Sequence, residues 1–155
     1  MYGTPWLHPS HPPTDLRRGF ARSDDGGAHW AQVWYLEHRQ PEILVGTCDH
    51  AMVSDVSSGA SSDGRVWYSH PGSSNFTDLP RANYTLHSST NGGAEWAFVD
   101  RVYAGGAGYS DAHVIRTGDG DKRALAMLFQ KTFDPPVQGV EGGGYDMGLS
   151  LFPID

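Results

Sequence analysis

The sequence contains a single cysteine and few cationic side chains. Because Cys48 has no second cysteine to pair with, an intrachain disulfide is excluded, and a lone cysteine of this kind is typical of a small buried hydrophobic residue. The 11 Lys and Arg residues are outnumbered by 18 Asp and Glu, which gives a formal net charge of −7. This charge argues against nucleic acid or an anionic membrane surface as a partner.

Long apolar runs and helical periodicity are also missing. No segment is apolar enough to span a bilayer, so we expect no transmembrane segment, and the first residues do not form an apolar signal segment. Instead, 20 Gly and 10 Pro residues separate short segments rich in Val, Thr and aromatic side chains. This pattern predicts an all-β fold with many turns.

One short motif occurs twice. Residues 23–30 read Ser-Asp-Asp-Gly-Gly-Ala-His-Trp, and residues 89–96, which begin 66 residues later, read Ser-Thr-Asn-Gly-Gly-Ala-Glu-Trp. We expect each copy to be a hairpin turn in which the Asp or Asn accepts hydrogen bonds from N–H groups two residues on. A glycine supplies positive φ, and the Trp folds back as an apolar lid. The predicted turn residues are Ser23, Asp25, Gly27, Trp30, Ser89, Asn91, Gly93 and Trp96.

Short predicted strands flank these turns and continue beyond them. They are residues 18–23, 30–36, 50–55, 65–69, 84–89, 96–103, 109–116, 124–131 and 145–152, with a tight turn at 118–121. Repeated four-stranded units of this kind are typical of the blades of a β-propeller. The chain is long enough for about two to three such blades.

Several further segments follow one another in a distinctive order. They are Gly-Arg-Val-Trp-Tyr-Ser-His-Pro at 64–71, Arg-Ala-Asn-Tyr-Thr-Leu at 81–86, Ala-Gly-Tyr-Ser-Asp at 107–111 and Leu-Ala-Met-Leu-Phe-Gln-Lys at 125–131. Together with the repeated motif, which is similar to an Asp box, they resemble the C-terminal half of an exo-α-sialidase. The similarity is greatest to the lysosomal-type animal enzymes and their bacterial relatives. The resemblance covers nearly all of residues 18–155.

The resemblance implies a partial six-bladed β-propeller. Residues 1–155 would form the C-terminal part of that domain, with the N-terminal blades outside this sequence. It also implies retaining hydrolysis of terminal α-linked sialic acids, with a sialylated glycan as substrate and with no cofactor or metal. The location implied is lysosomal or secreted.

The resemblance assigns roles to three residues. Tyr109 falls at the position of the family's nucleophile, and Arg81, 28 residues earlier, at the third arginine of a triad that binds the substrate carboxylate. Asp49 lies where relatives often carry Gln beside the site, so it is expected to line the pocket. It departs from the family by adding negative charge. The first arginine, the acid/base aspartate and the glutamate partner of the tyrosine have no counterpart in these residues, so we expect the 155-residue chain alone to be inactive.

Other interpretations remain open beside this one. A non-catalytic Asp-box propeller that binds a glycan or a protein would show the same turns and strands, and a degenerate fragment would not fold alone. The histidines lack the spacing of a zinc site, and Asp119 and Asp121 lack the remainder of a calcium loop. Asp111 either orients Tyr109 or caps a turn. Gln130 stands where the family usually has Glu.

Overall fold

A computed structural model describes residues 19–35, 40, 43, 50–54, 64–72, 82–118, 122–132 and 145–154. The described residues form strands and turns and contain no helix, which confirms the all-β prediction. In particular, they contain no helix long and apolar enough to cross a membrane. The strands are β1 (Gly19–Arg22), β2 (Ala31–Tyr35), β3 (Ala51–Ser54), β4 (Val66–Pro71), β5 (Ala82–Ser89), β6 (Ala97–Arg116), β7 (Arg123–Thr132) and β8 (Tyr145–Pro153).

The chain divides into two compact units, Met1–Ile43 and Leu44–Asp155. In the first unit, β1 and β2 form an antiparallel hairpin that is closed by the first copy of the repeated motif. Phe20 is buried and stacks on Trp34, with ring centroids 5.8 Å apart. The hairpin predicted around this motif is therefore present.

In the second unit, β3 to β8 form one antiparallel sheet in sequence order. β6 changes partner near its middle. Ala82 of β5 pairs with Gly106, whereas Ala107 pairs with Lys131 of β7. We call β3, β4, β5 and residues 97–106 the β3–β6 layer, and residues 107–116, β7 and β8 the β6–β8 layer.

The prediction of two separate strands at 96–103 and 109–116 is wrong, because β6 is a single strand of 20 residues. The glycines between the two predicted strands coincide with the change of partner from β5 to β7. Since the backbone gains the pairing with β7 as the pairing with β5 ends, the strand has no reason to break there. Residues 119–121 of the predicted tight turn lie outside the described residues. The N–H of Thr117 donates to the carbonyl of Lys122 at 2.9 Å.

The two layers pack face to face and enclose the core. Trp67 on β4 lies 6.1 Å from Phe152 on β8, and Tyr84 on β5 stacks on Phe129 on β7 at 4.4 Å between centroids. Neither pair belongs to neighbouring strands, so the sheet folds over itself at β6. The buried core residues are Ala51, Trp67, Tyr84, Leu86, Ala107, Ala112, Leu125, Met127 and Phe129. Burial of each large side chain among them contributes about 1.5–3 kcal/mol.

The opposite face of the β6–β8 layer is also apolar. Side chains alternate along each strand, so residues adjacent to the buried positions point the other way. Leu128, Met147, Leu149 and Leu151 lie on this outer face and are 45–67% exposed. Leu128 and Leu149 are register partners. The layer thus has apolar side chains on both faces, one packed in the core and one exposed.

Candidate functional site

The first copy of the repeated motif is held by two side chains. The Ser23 hydroxyl oxygen accepts hydrogen bonds from the N–H of Gly27 at 2.8 Å and of Asp25 at 3.4 Å. Asp25 Oδ1 accepts from the N–H of His29 at 2.9 Å and from the Ser23 hydroxyl at 2.7 Å. The expected Asx-turn is therefore wrong in detail. The acidic side chain reaches four residues on, and the serine bonds the N–H two residues on.

The second copy repeats this arrangement. The Ser89 hydroxyl oxygen accepts from the N–H of Gly93 at 2.9 Å, and Asn91 Oδ1 accepts from the N–H of Glu95 at 3.0 Å and from the Ser89 hydroxyl at 2.9 Å. Gly27 and Gly93 have φ of 93° and 83°, as expected. The sequence repeat is therefore a repeat of turn geometry.

The tryptophans of the two copies differ in burial. Trp96 is 4% exposed and packs against Tyr68 at 5.2 Å between ring centroids. Trp30 is 59% exposed, but its ring lies over its own turn, with Cζ2 3.8 Å from the position that a Cβ on Gly27 would take. The ring therefore folds back over the turn in the first copy, and in the second copy the tryptophan is also buried against an aromatic side chain.

The first turn carries a strongly stabilised carboxylate. Asp25 Oδ2 lies 2.6 Å from Nδ1 of His29. The backbone N–H of His29, followed by the Ser23 hydroxyl and the His29 side chain, lowers the pKa of Asp25 to about 2. Because Asp25 is exposed, its low pKa comes from these hydrogen bonds and not from burial.

Tyr109 lies at a β-bulge in β6. Ala107 pairs with Lys131 and Ser110 with Phe129, so Gly108 and Tyr109 together oppose the single residue Gln130. An extra residue on one strand bends it and redirects its side chains, and such bulges are frequent beside active sites. Tyr109 is 47% exposed. Tyr109 thus lies exposed at one of several irregular points in the pairing of β6.

Asp111 makes local contacts. Its Oδ1 accepts a hydrogen bond from the N–H of Ala112 at 2.8 Å, and its Oδ2 lies 3.4 Å from Nε2 of His113. These contacts involve the residues that follow it in the chain. Because Asp111 lies inside strand β6, the prediction that it caps a turn is wrong.

The beginning of β5 is irregular next to this bulge. Asn83 has a φ of 55°, a left-handed conformation that costs energy in a residue other than glycine and is concentrated at functional sites. Its carbonyl accepts hydrogen bonds from the N–H of Gly72 at 2.9 Å and from the hydroxyl of Thr85 at 2.7 Å. Ala82 pairs with Gly106. Both irregularities thus lie within a few residues of the point where β6 changes partner.

Two predicted substrate-binding residues, Arg81 and Asp49, lie outside the described residues. Ala82, which follows Arg81 in the chain, pairs with a residue three positions before Tyr109. The start of β5 therefore pairs with β6 three residues before Tyr109.

A cluster of histidines and aromatic residues covers the other face of the β3–β6 layer. His70 and His87 are stacked at 5.0 Å between centroids, and His70 Nε2 lies 3.1 Å from His87 Nδ1. Tyr68 stacks on His70 at 4.8 Å and its hydroxyl is hydrogen-bonded to Nδ1 of His50. Tyr68, His70 and His87 are all 5% exposed or less.

This histidine–aromatic face was not predicted from the sequence. The sequence feature that indicates this face is the alternation of Tyr68 and His70 along β4. The face forms because Tyr68 pairs with His87 on β5. Burial lowers the pKa of His87 to about 4, so its ring is neutral at pH 7. Within the described ranges, no group of three or more His, Cys, Asp or Glu residues is arranged to hold a metal ion.

Comparisons of the chain with protein-family models, with curated proteins and with solved structures found no significant match. The sialidase resemblance therefore depends on the ordered sequence segments described above.

Proposed function

We propose that this chain is part of a retaining exo-α-sialidase that hydrolyses terminal α-linked sialic acids, with Tyr109 as the nucleophile. The observation that supports this most is the position of Tyr109: an exposed tyrosine on a bulge, three residues along β6 from the residue that pairs with the start of β5. Side chains on bulges are redirected from the sheet, as a nucleophile at the edge of a pocket requires.

A tyrosine suits this substrate for an electrostatic reason. Sialic acid carries a carboxylate on its anomeric carbon, which would repel an Asp or Glu nucleophile, and sialidases are exceptions to the usual pair of carboxylates. In the proposed reaction, a base removes the phenol proton while Oη of Tyr109 bonds to the anomeric carbon. The bond to the glycan oxygen breaks, and an acid protonates that oxygen. Water then cleaves the tyrosyl–sugar bond and restores the phenol.

Arg81 is proposed to hold the substrate carboxylate. A guanidinium offers a planar fork of donors that binds a carboxylate through two parallel hydrogen bonds. The next residue in the chain, Ala82, pairs with Gly106, three positions before Tyr109. Asp49 is proposed to line the same pocket. Its negative charge would repel the carboxylate of the anionic substrate and favour contact with the neutral hydroxyl groups of the substrate.

We also propose that the two layers are consecutive blades of a six-bladed propeller. The β3–β6 layer has four strands in sequence order, and the chain passes directly into a second layer that packs on the first. This succession of packed antiparallel layers is what a propeller requires. The β6–β8 layer has three strands within the described residues, so its complete blade would include one more.

The decisive experiment is Tyr109→Phe in the intact natural protein, assayed with a fluorogenic sialoside. We expect kcat to fall on the order of 10³-fold or more, because the variant cannot form the covalent intermediate. The matched control is Tyr103→Phe, which removes a phenol on the same strand whose hydroxyl donates to the carbonyl of Thr132. Unchanged turnover by the Tyr109 variant would refute the assignment. The 155-residue chain alone should release no sialic acid.

The alternative, a non-catalytic propeller that binds a glycan or a protein, is favoured by the exposed apolar outer face of the β6–β8 layer. Contiguous exposed apolar side chains often mark interaction surfaces. Saturable binding of a sialoside by the intact protein without any hydrolysis would favour this function over the enzyme.

A further inference from the structure

The bulge at Tyr109 places a backbone donor opposite a side-chain amide of β7. In a β-bulge two residues on one strand oppose a single residue on the other, and the ladder is locally disrupted. Here the N–H of Tyr109 donates to Oε1 of Gln130, the opposing residue, over a long hydrogen bond of 3.4 Å. A side-chain amide thus contacts the backbone of the bulge directly.

Gly108 gives this side chain its room. A Cβ at residue 108 would lie 2.6 Å from Oε1 and 3.3 Å from Cβ of Gln130. The φ of Gly108 lies outside the left-handed region, so glycine is required here for space and not for backbone conformation. Any larger residue would displace the Gln130 amide from the N–H of Tyr109.

Gln130 is itself held on a rigid element. β7 is paired with β6 on one side and with β8 on the other, and Gln130 is the register partner of Met147. Its neighbour Phe129 is buried and stacks on Tyr84 in the core between the layers. Because β7 is held by both neighbouring strands and by the core, a hydrogen bond from Gln130 holds the bulge in a fixed position relative to the core.

We infer that Gln130, accommodated by Gly108, is a positioning residue that fixes the backbone from which Tyr109 projects. Its relevance to catalysis rests on the proposed function, whereas its effect on the bulge does not. The amide oxygen acts as an acceptor for the Tyr109 N–H, and the residue need not touch the substrate.

The test compares three variants of the 155-residue chain carrying 3-fluorotyrosine at position 109. Gln130→Met keeps the length of the side chain but removes the acceptor oxygen, Gln130→Glu keeps an acceptor, and Leu128→Met controls for change on the outer face of β7. We expect Gln130→Met to accelerate amide exchange of residue 109 about two- to tenfold and to shift its fluorine resonance. Gln130→Glu should leave the exchange within about twofold of the unsubstituted rate.

Equal exchange rates in the Gln130→Met and Gln130→Glu variants would overturn the inference. So would a change of the same size in the Leu128→Met control. Because neither measurement involves hydrolysis, a failed sialidase assay and a failed bulge test are distinguishable.

A second measurement uses Gly108→Ala, whose new methyl group would meet Oε1 of Gln130. We expect this substitution to lower the melting temperature, and to lower it by a smaller amount when residue 130 is already Ala, because the close oxygen is then gone. Equal losses in the two backgrounds would show that Gly108 does not serve the Gln130 contact, and would overturn that part of the inference.

Discussion

The two copies of the repeated turn share their backbone hydrogen bonds but differ in charge. In the first copy the acceptor is the carboxylate of Asp25, which also contacts His29 at 2.6 Å. In the second it is the neutral amide of Asn91, whose Nδ2 donates to Glu95 at 3.4 Å. The negative charge has moved from the third to the seventh position of the motif. The turn therefore requires an oxygen acceptor at the third position and does not require a charge there.

The surroundings of the two copies differ more than the turns themselves. Trp96 is buried beside Tyr68, whereas Trp30 is exposed. Two residues before each motif, the second copy has the buried His87 and the first has the exposed Ala21. The local turn is encoded by the motif, but the role of its tryptophan is set by the strands that neighbour it.

The largest expected difference lies between the tryptophans. Trp96→Ala should lower the free energy of unfolding by about 3–5 kcal/mol, because it leaves a cavity beside Tyr68. Trp30→Ala should change it by no more than about 0.5 kcal/mol. Urea unfolding followed by far-UV circular dichroism measures both. Similar losses in the two variants would mean that the tryptophans are equivalent after all.

The next difference concerns acid. Burial lowers the pKa of His87 from 6.5 to about 4, so between these values the unfolded chain binds more protons than the folded one. Stability from the neutral ring is therefore complete above about pH 6.5 and is lost as the pH falls towards 4. Unfolding titrations at a series of pH values should show this slope.

His87→Gln is the control for this acid response, since its amide does not titrate but can still contact His70. The slope between pH 6.5 and 4 should decrease in this variant. A slope equal to that of the natural sequence would assign the acid response to other groups.

The smallest expected effect distinguishes the turns themselves. Hydrogen bonds from His29 and Ser23 lower the pKa of Asp25 from 3.8 to about 2, so the carboxylate's contribution is present above pH 3.8 and is lost as the pH falls towards 2. Amide exchange at His29 should accelerate in this range, whereas exchange at residue 95 should not follow it, because Asn91 does not titrate.

A Glu95→Gln background removes the other carboxyl of the second turn, so that any acid response there reports on residue 91 alone. In this background, Asn91→Asp should cause amide exchange at residue 95 to accelerate as the pH falls, as expected for His29 in the first turn. If the two amides respond alike before that replacement, the charge difference between the copies has no effect on the hydrogen bonds.

The sequence predicted the elements better than the contacts between them. Alternation and turn residues located the strands from β1 to β8, except that β6 was predicted as two strands, and the motif predicted positive φ at Gly27 and Gly93. The glycines before Tyr109 indicated a break, because a change of pairing partner leaves the same composition as a loop. The bulge opposite Gln130 was not predicted, because the same glycines were interpreted as a break between two strands.

The histidine–aromatic face was missed because it depends on register. His70 and His87 are 17 residues apart, and only the pairing of β4 with β5 brings their rings together. Register is set by loop lengths and by burial of one face, which a single sequence specifies only indirectly. The assignments of Tyr109, Arg81 and Asp49 stay predictions, since they depend on the resemblance.

The shared strand β6 has a consequence for how this unit unfolds. Its 20 residues supply an edge to β5 and then an edge to β7, so each layer loses a strand if β6 is released. Disruption of one layer therefore spreads to the other, and the two should melt in a single cooperative transition. Every strand from β3 to β8 also pairs with the next one in the sequence, so the ladders form between segments close along the chain.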